Sequence, residues 1–319
     1  MTNRKERTYG LVGSVCWSAD RERVLSRSWD GTARVRDVET EETMLDPMKV
    51  GHEKVFVAIF SRDTDTTEIV TGGQNEDGVK IWNAKTAELL STIEHEDLAW
   101  SLVWTSDQKY LIVSTSLLDK TVRMWNLDTN LQVGQPLRHE EYVNGAALSP
   151  DRKLLVTYCS DKSVYVWDIH TILKDAASRS PLTMRGHTDT VWDVAHLPSR
   201  RQIITCSEDG SLRLWNLESG AQIGDEWRDE EEKAGVTIIA LSPNGKTVAS
   251  GGRDGRVKLW DVEGQKVIAK GTGHSDMVES LCWSGDGQRV LSGSDDGTAK
   301  VWNVERGQTV LSPIKTGHE

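Results

Sequence analysis

Cysteine is scarce in this 319-residue chain, and Cys16, Cys159, Cys206 and Cys282 stand far apart with no C-x-x-C pair. That spacing excludes the close pairs from which a structural zinc site or a disulfide framework is read, so the four are expected to pack as small core hydrophobes. No metal and no cofactor is expected. Long apolar runs are also missing: no stretch approaches the roughly 18 consecutive residues of a membrane-spanning helix, and no membrane partner is expected. The N-terminal MTNRKERTYG has no apolar segment behind its basic residues, so no secretory leader is read there and cytoplasmic residence is expected. Positive charge is in the minority, 38 Lys and Arg against 49 Asp and Glu. A net charge of -11 repels a phosphate backbone, whose non-specific binding draws on Lys and Arg, so no nucleic acid is expected either.

Aromatic chemistry rests on tryptophan, 13 residues against only two Phe and five Tyr. Trp82, Trp125, Trp167, Trp215, Trp260 and Trp302 each follow a short alternating run such as VKIWN, VYVWD or VKLWD, at gaps of 43, 42, 48, 45 and 42 residues. One period upstream of Trp82 lies ARVRDV, with Arg36 at the Trp position, which makes seven units. A period in the forties with several short strands per unit is the mark of a propeller blade. Six residues before the Trp position stands an Asp, mostly followed by Gly or Lys: Asp30, Asp119, Asp161, Asp209, Asp254 and Asp296. Such pairs suit tight hairpin turns. Ten residues before it stands a hydroxyl: Ser26, Thr115, Thr157, Thr205, Ser250 and Ser292. Unit two is irregular, with Thr71 and Asp77 at spacings of eleven and five. His52, His95, His139, His187 and His274 precede the turn Asp by 22 to 25 residues, three of them in a GH dipeptide.

This pattern resembles the WD-repeat family, with its GH and WD marks and its His, Ser/Thr, Asp, Trp tetrad. The resemblance implies an all-β, seven-bladed propeller of four-stranded antiparallel blades. It would form a single domain over 1–319, with blades near 8–50, 51–93, 94–137, 138–184, 185–230, 231–271 and 272–319. It is similar in particular to recently duplicated fungal WD-repeat arrays, some of which follow a NACHT domain in NOD-like receptors.

Five histidines at fixed offsets from an Asp and a hydroxyl could suggest a catalytic triad. A network repeated in most blades reads instead as scaffolding that satisfies buried polar groups, and no unique cluster is left for an enzyme. The tetrads are expected to be structural and the protein not an enzyme. Thr8 and Glu232 occupy the His position of units one and six, so those blades should be the least stable. His170 and His196 fall outside the pattern and are read as incidental.

Units one and seven match at a constant offset of 266, CWSADRERVLSRSWDGTARV against CWSGDGQRVLSGSDDGTAKV, continuing to GHE at 51–53 and 317–319. Every blade then draws its four strands consecutively from the chain. Closure is expected to rest on packing of blade one against blade seven, with His318 filling the place opposite Asp30 that Thr8 leaves. The same seam could serve self-association or further repeats.

In propellers of this family, top-face contacts come from the residues three and five past the His position and from the residue before the turn Asp. Those offsets select Trp29, Leu98, Trp100, Leu118, Tyr142, Asn144 and Trp192 on blades one to five, and Phe56 takes the equivalent place in unit two after a one-residue deletion. On blades six and seven they select Arg253, Met277 and Glu279, with Thr237 and Asp295. An exposed aromatic cluster usually marks an interaction site. The expected partner is a protein or peptide, one with an apolar anchor and a basic residue fitting both halves; the competing reading is a carbohydrate-binding, lectin-like propeller. Residues 170–183 are expected to hold a short helical turn. The acidic run DEWRDEEE, 225–232, reads as a solvated loop that could attract a basic partner.

Overall fold

The structure is a computed structural model. It describes residues 12–18, 22–37, 40, 44, 48–61, 68–74, 78–94, 98–105, 109–115, 119–174, 180–198, 201–229, 234–271, 273–305, 308–309 and 314–315. The chain forms seven antiparallel sheets, each built from strands consecutive in sequence. The innermost strands are Val12–Trp17, Lys54–Phe60, Ala99–Trp104, Val143–Leu148, Val191–His196, Val236–Leu241 and Val278–Trp283. Each is a neighbour of the next, and Val278–Trp283 returns to pack on Val12–Trp17. The result is a closed seven-bladed β-propeller, and blade seven meets blade one by packing, with no strand exchanged among the described residues. The outer strand of blade seven comes in two pieces, Gln308–Thr309 and Ile314–Lys315, both paired to Thr298–Asn303. Thr8, Glu232 and His318 lie outside the described residues.

The second and third strands of each blade carry the densest burial, as in Leu154–Cys159 and Ser163–Asp168. They face a neighbouring blade on both sides and therefore read as nearly continuous apolar runs. Six apolar clusters fill the interfaces from blades one–two to six–seven. The third-strand tryptophans belong to them: Trp167, Trp215, Trp260 and Trp302 are buried.

The turn between second and third strands explains the Asp-Gly and Asp-Lys pairs. In six blades the Asp Oδ1 accepts the backbone N–H two residues on: Thr32, Thr121, Ser163, Ser211, Arg256 and Thr298. The residue after the Asp takes positive φ, as at Gly210 (+78°), which only glycine adopts freely. Lys162 takes the same place at φ +71°.

The long gap between blades four and five holds a helical turn, Ile169–Leu173. Asp168 caps it by accepting the Thr171 N–H, and Ile172 packs into the blade three–four core.

Within the acidic run, the described residues 225–229 depart from the solvated loop expected of it. Trp227 and Arg228 form the outer strand of blade five, and the Trp227 side chain is 1% exposed in the core between blades five and six. Asp229 is also buried, ion-paired to Lys258 at 2.8 Å and Lys270 at 3.0 Å of blade six. The basic partner of this acid is the next blade.

Candidate binding face

The pairing between the first two strands slips once in every blade, leaving one residue of the innermost strand unopposed. The seven are Gly13, Phe56, Trp100, Asn144, Trp192, Thr237 and Glu279. A bulge of this kind bends the strand and re-aims the extra side chain. The residue before each bulge is a small or β-branched apolar one, buried at Val55, Ala99, Val143, Val191, Val236 and Val278. An anchored apolar residue followed by an extruded one recurs around the ring.

The same end of the ring carries the turns between second and third strands. Ser207 Oγ, at one such turn, donates to the Asp189 carbonyl in the segment entering blade five, and Ser294 Oγ donates likewise to Asp276 in blade seven. Trp29, Glu208, Arg253 and Asp295 thus share a face with the bulged residues.

Several bulged side chains reach the next blade. Phe56 lies 4.7 Å from Trp100, centroid to centroid, and meets Trp29 edge-on at 6.3 Å. Asn144 Nδ2 donates to the Val191 carbonyl (2.8 Å), Thr237 Oγ1 to the Val278 carbonyl (2.7 Å), and the Arg253 guanidinium lies 5.8 Å from the Trp192 ring. Trp192 Nε1 donates to Glu208 Oε2 (2.8 Å), and Glu208 in turn accepts Arg253 Nε at 2.6 and 2.7 Å.

Two residues expected on the exposed rim are taken up internally. Phe56 is only 9% exposed, enclosed between Trp29 and Trp100. Asn144 spends its amide on Val191 and accepts Ser160 Oγ. Tyr142 is exposed; Trp29, Leu98, Trp100, Trp192, Met277 and Glu279 are half-buried; Arg253 is exposed but ion-paired to Glu208. Leu118 lies outside the described residues. Three rings carry an in-chain cation: Lys54 over Trp29 (5.3 Å), Lys120 over Tyr142 (5.6 Å) and Arg253 over Trp192.

Glu208 and Asp193 are additions to the site that sequence reasoning missed. Glu208 stands before turn Asp209, at the offset that selected Trp29, so the signal was present. Asp193 follows the bulge of blade five. It accepts the Tyr158 hydroxyl of blade four (3.3 Å) and the Ile239 N–H of blade six (3.0 Å), and burial pushes its carboxyl up to about 6. Gly145 makes room for Tyr158, since a Cβ there would stand 2.2 Å from its hydroxyl oxygen.

Beneath this face the polar tetrads differ between blades. In blade five His187 Nδ1 pairs with Asp209 (3.0 Å), its Nε2 with Thr205 Oγ1 (2.7 Å), and Trp215 Nε1 donates to the same hydroxyl (2.9 Å). Blade seven repeats this with His274, Asp296, Ser292 and Trp302. Burial would raise the Asp209 carboxyl, but hydrogen bonds from His187, Ser211 and the Thr188 N–H hold it well below the usual range. In blade two His52 and Trp82 share Thr71, and in blade six Trp260 donates to Ser250. Asp254 of blade six binds Arg256, two residues on in the same turn. Asp77 and His95 lie outside the described residues, as does the Thr115 side chain; Asp119 pairs with Arg123, and Trp125 is half-buried.

Blade four corrects the expected tetrad. His139 and Trp167 share Thr157, but Asp161 gives its second oxygen to the Tyr165 hydroxyl rather than to His139. Tyr165 replaces a basic residue found there in the other six blades, Arg34, Lys80, Arg123, Arg213, Lys258 and Lys300, and its ring meets His139 edge-on at 5.0 Å. Burial lowers the His139 pKa to about 4. A neutral buried His contributes stability that is present above about 6.5, its unfolded value, and is lost as the pH falls toward 4. The stability gap between wild type and His139→Asn, read from urea unfolding, should therefore shrink over that interval; a constant gap would show His139 titrating normally.

A model of the WD domain, G-beta repeat, matches residues 5–37, 87–126, 132–168, 178–216, 229–261 and 265–303, well over half the chain. Irregular blade two is the one whose inner three strands fall between matches. Among curated relatives, the chain is 27% identical over 263 residues to the ribosome biogenesis protein WDR12 homolog of Trichoplax adhaerens, covering 73% of this chain and 59% of that protein. It is 26% identical over 278 residues to apoptotic protease-activating factor 1 of Mus musculus (83% and 21%), and 26% identical over 271 residues to the guanine nucleotide-binding protein subunit beta of Zea mays (79% and 68%). The chain thus spans less than two thirds of the first two relatives. Among solved structures, the computationally designed protein Ika8 superposes with a TM-score of 0.74 at 21% identity, over 99% of this chain and 90% of that one.

Proposed function

The chain belongs to the WD domain, G-beta repeat family, and from that premise we propose that it is a non-catalytic interaction scaffold or sensor module that holds a protein or peptide partner on the bulge-bearing face. The observation that carries this reading is the row of aromatic rings on blades one to five. Trp29, Trp100, Tyr142 and Trp192 stand on this face on blades one, three, four and five; Tyr142 is exposed and the other three are half-buried. Tryptophan and tyrosine dominate interface hot spots because they combine large area with few rotamers. The tetrad histidines are absorbed by the scaffold, which favours binding over catalysis.

The in-chain cations over Trp29, Tyr142 and Trp192 occupy the ring faces a sugar would stack on, which favours a peptide over a glycan. The module would act in the cytoplasm. Its resemblance to NACHT-linked arrays, and its similarity to a factor of which it spans only 21%, support a propeller working as the recognition part of a longer sensor protein.

Peptides selected by display on the wild-type protein should lose at least about 2 kcal/mol of affinity, roughly thirty-fold, on Trp100→Ala or Trp192→Ala. Unchanged affinity in both variants would remove this face from consideration.

A further inference from the structure

Where blade seven meets blade one, the same face gathers charges that the other described residues leave unbalanced. Glu279 is the bulged residue of Val278–Trp283, Asp295 precedes the turn of the same blade, and Arg27 rises from the second strand of blade one, Arg23–Ser28. Arg27 is 9% exposed; its Nη1 donates to the Val55 carbonyl (3.1 Å), while its Nε finds no acceptor. The equivalent positions of the other six blades hold Gly72, Ser114, Tyr158, Cys206, Gly251 and Gly293, so this buried guanidinium is particular to blade one.

Arg27 acts electrostatically on both Glu279 and Asp295 without reaching either as an ion pair. Arg253 also acts on Glu279, but it is committed to Glu208. Asp276 and Asp296 flank Asp295, and Asp296 is already held by His274, Thr298 and the Ser275 N–H. Among the described residues, one cation without an ion pair therefore faces two carboxylates without one, and one negative charge is left over. Burial first, then Asp295, pushes the Glu279 carboxyl up to about 7, and burial followed by Asp276 raises Asp295.

We propose that this seam receives the guanidinium or ammonium of a partner's arginine or lysine between Glu279 and Asp295, with the adjoining part of the peptide lying against Trp29. The inference rests on the reading of this face as the binding face and names the chemistry of its ligand. An arriving cation brings the group to neutrality and draws Glu279 into its ionised form, so uptake near neutral pH releases a proton.

The probes are three acetylated, amidated tripeptides: alanine–arginine–leucine and its analogues with neutral citrulline or glutamate at the centre. Calorimetry on the full chain at about pH 8 should show the arginine peptide binding at least about tenfold more tightly than the citrulline one, with that advantage lost in Glu279→Gln and in Asp295→Asn. Near neutral pH, two buffers of different ionisation enthalpy should reveal proton release. Folding is checked independently: Glu279→Gln should unfold at no lower temperature than wild type at about pH 8, because it removes a carboxylate whose ionised form the folded state disfavours. Arginine-peptide binding unaltered by both substitutions, or equal binding of the citrulline peptide, would overturn the proposal. Tighter binding of the glutamate peptide would do so too, making Arg27 the recognising group. Display-selected peptides that weaken on Trp100→Ala but ignore Glu279→Gln would leave the binding-face reading standing and sink only this one.

Discussion

Trp227→Ala is expected to lower the unfolding free energy by about 3–5 kcal/mol, the range for truncating a large buried aromatic. The indole belongs to one buried apolar core with Leu212, Leu214, Val236, Ile239 and Trp260, so its removal opens a cavity between two blades that neither can close alone. The core also contains residues of the two flanking sheets, and the loss should weaken both. Trp227→Phe should cost much less. The indole Nε1 is buried with no hydrogen-bond partner, and phenylalanine fills most of the volume while removing that unsatisfied donor. Urea unfolding of the two variants checks the pair, and a Phe variant as unstable as the Ala variant would mean that the N–H has a partner the geometry does not reveal. Lys258→Met, by contrast, probes the ion group beside it and leaves the apolar core intact.

Trp227 also shows where sequence reasoning reached its limit. Its acidic neighbours pointed to a solvated loop, yet Glu226, Trp227, Arg228 and Asp229 alternate exposed and buried, the period-two pattern of a strand. Four residues are too few for that period to stand out against the charge. The propeller itself was legible because closing a ring demands the same residue types at the same places: an Asp able to fix a turn, a hydroxyl, an apolar run and a Trp. The bulge was visible only as a constant offset, since nothing in the residue types of Phe56, Asn144 or Glu279 announces it. Which bulged side chains stay open depends on the neighbouring blade, so Phe56 and Trp100 look alike in sequence and differ in exposure. Tyr165 was legible in principle, as the one exception in a column of lysines and arginines, but its capture of Asp161 is a matter of reach across the blade.

The second large effect concerns the hydroxyl at the centre of a complete tetrad. Thr205→Val keeps the shape of the side chain and removes an oxygen that serves both the Trp215 indole N–H and His187 Nε2. Each buried polar group left without a partner costs about 1–3 kcal/mol, so the variant should lose about 2–4 kcal/mol. Thr205→Ser keeps the oxygen and gives up one methyl, worth about 0.8 kcal/mol; blades six and seven already use serine here, at Ser250 and Ser292. Blade four separates the hydroxyl's own contribution from that of the chain ending in the carboxylate. Thr157 likewise serves a His and a Trp, but His139 makes no bond to Asp161, so Thr157→Val breaks a network of three groups rather than four. If hydrogen bonds along the chain polarise one another, as the low dielectric of the interior favours, the loss at Thr205 should exceed that at Thr157. Equal losses in urea unfolding would show that the carboxylate lends the hydroxyl nothing, and that the tetrad works as a set of independent pairs.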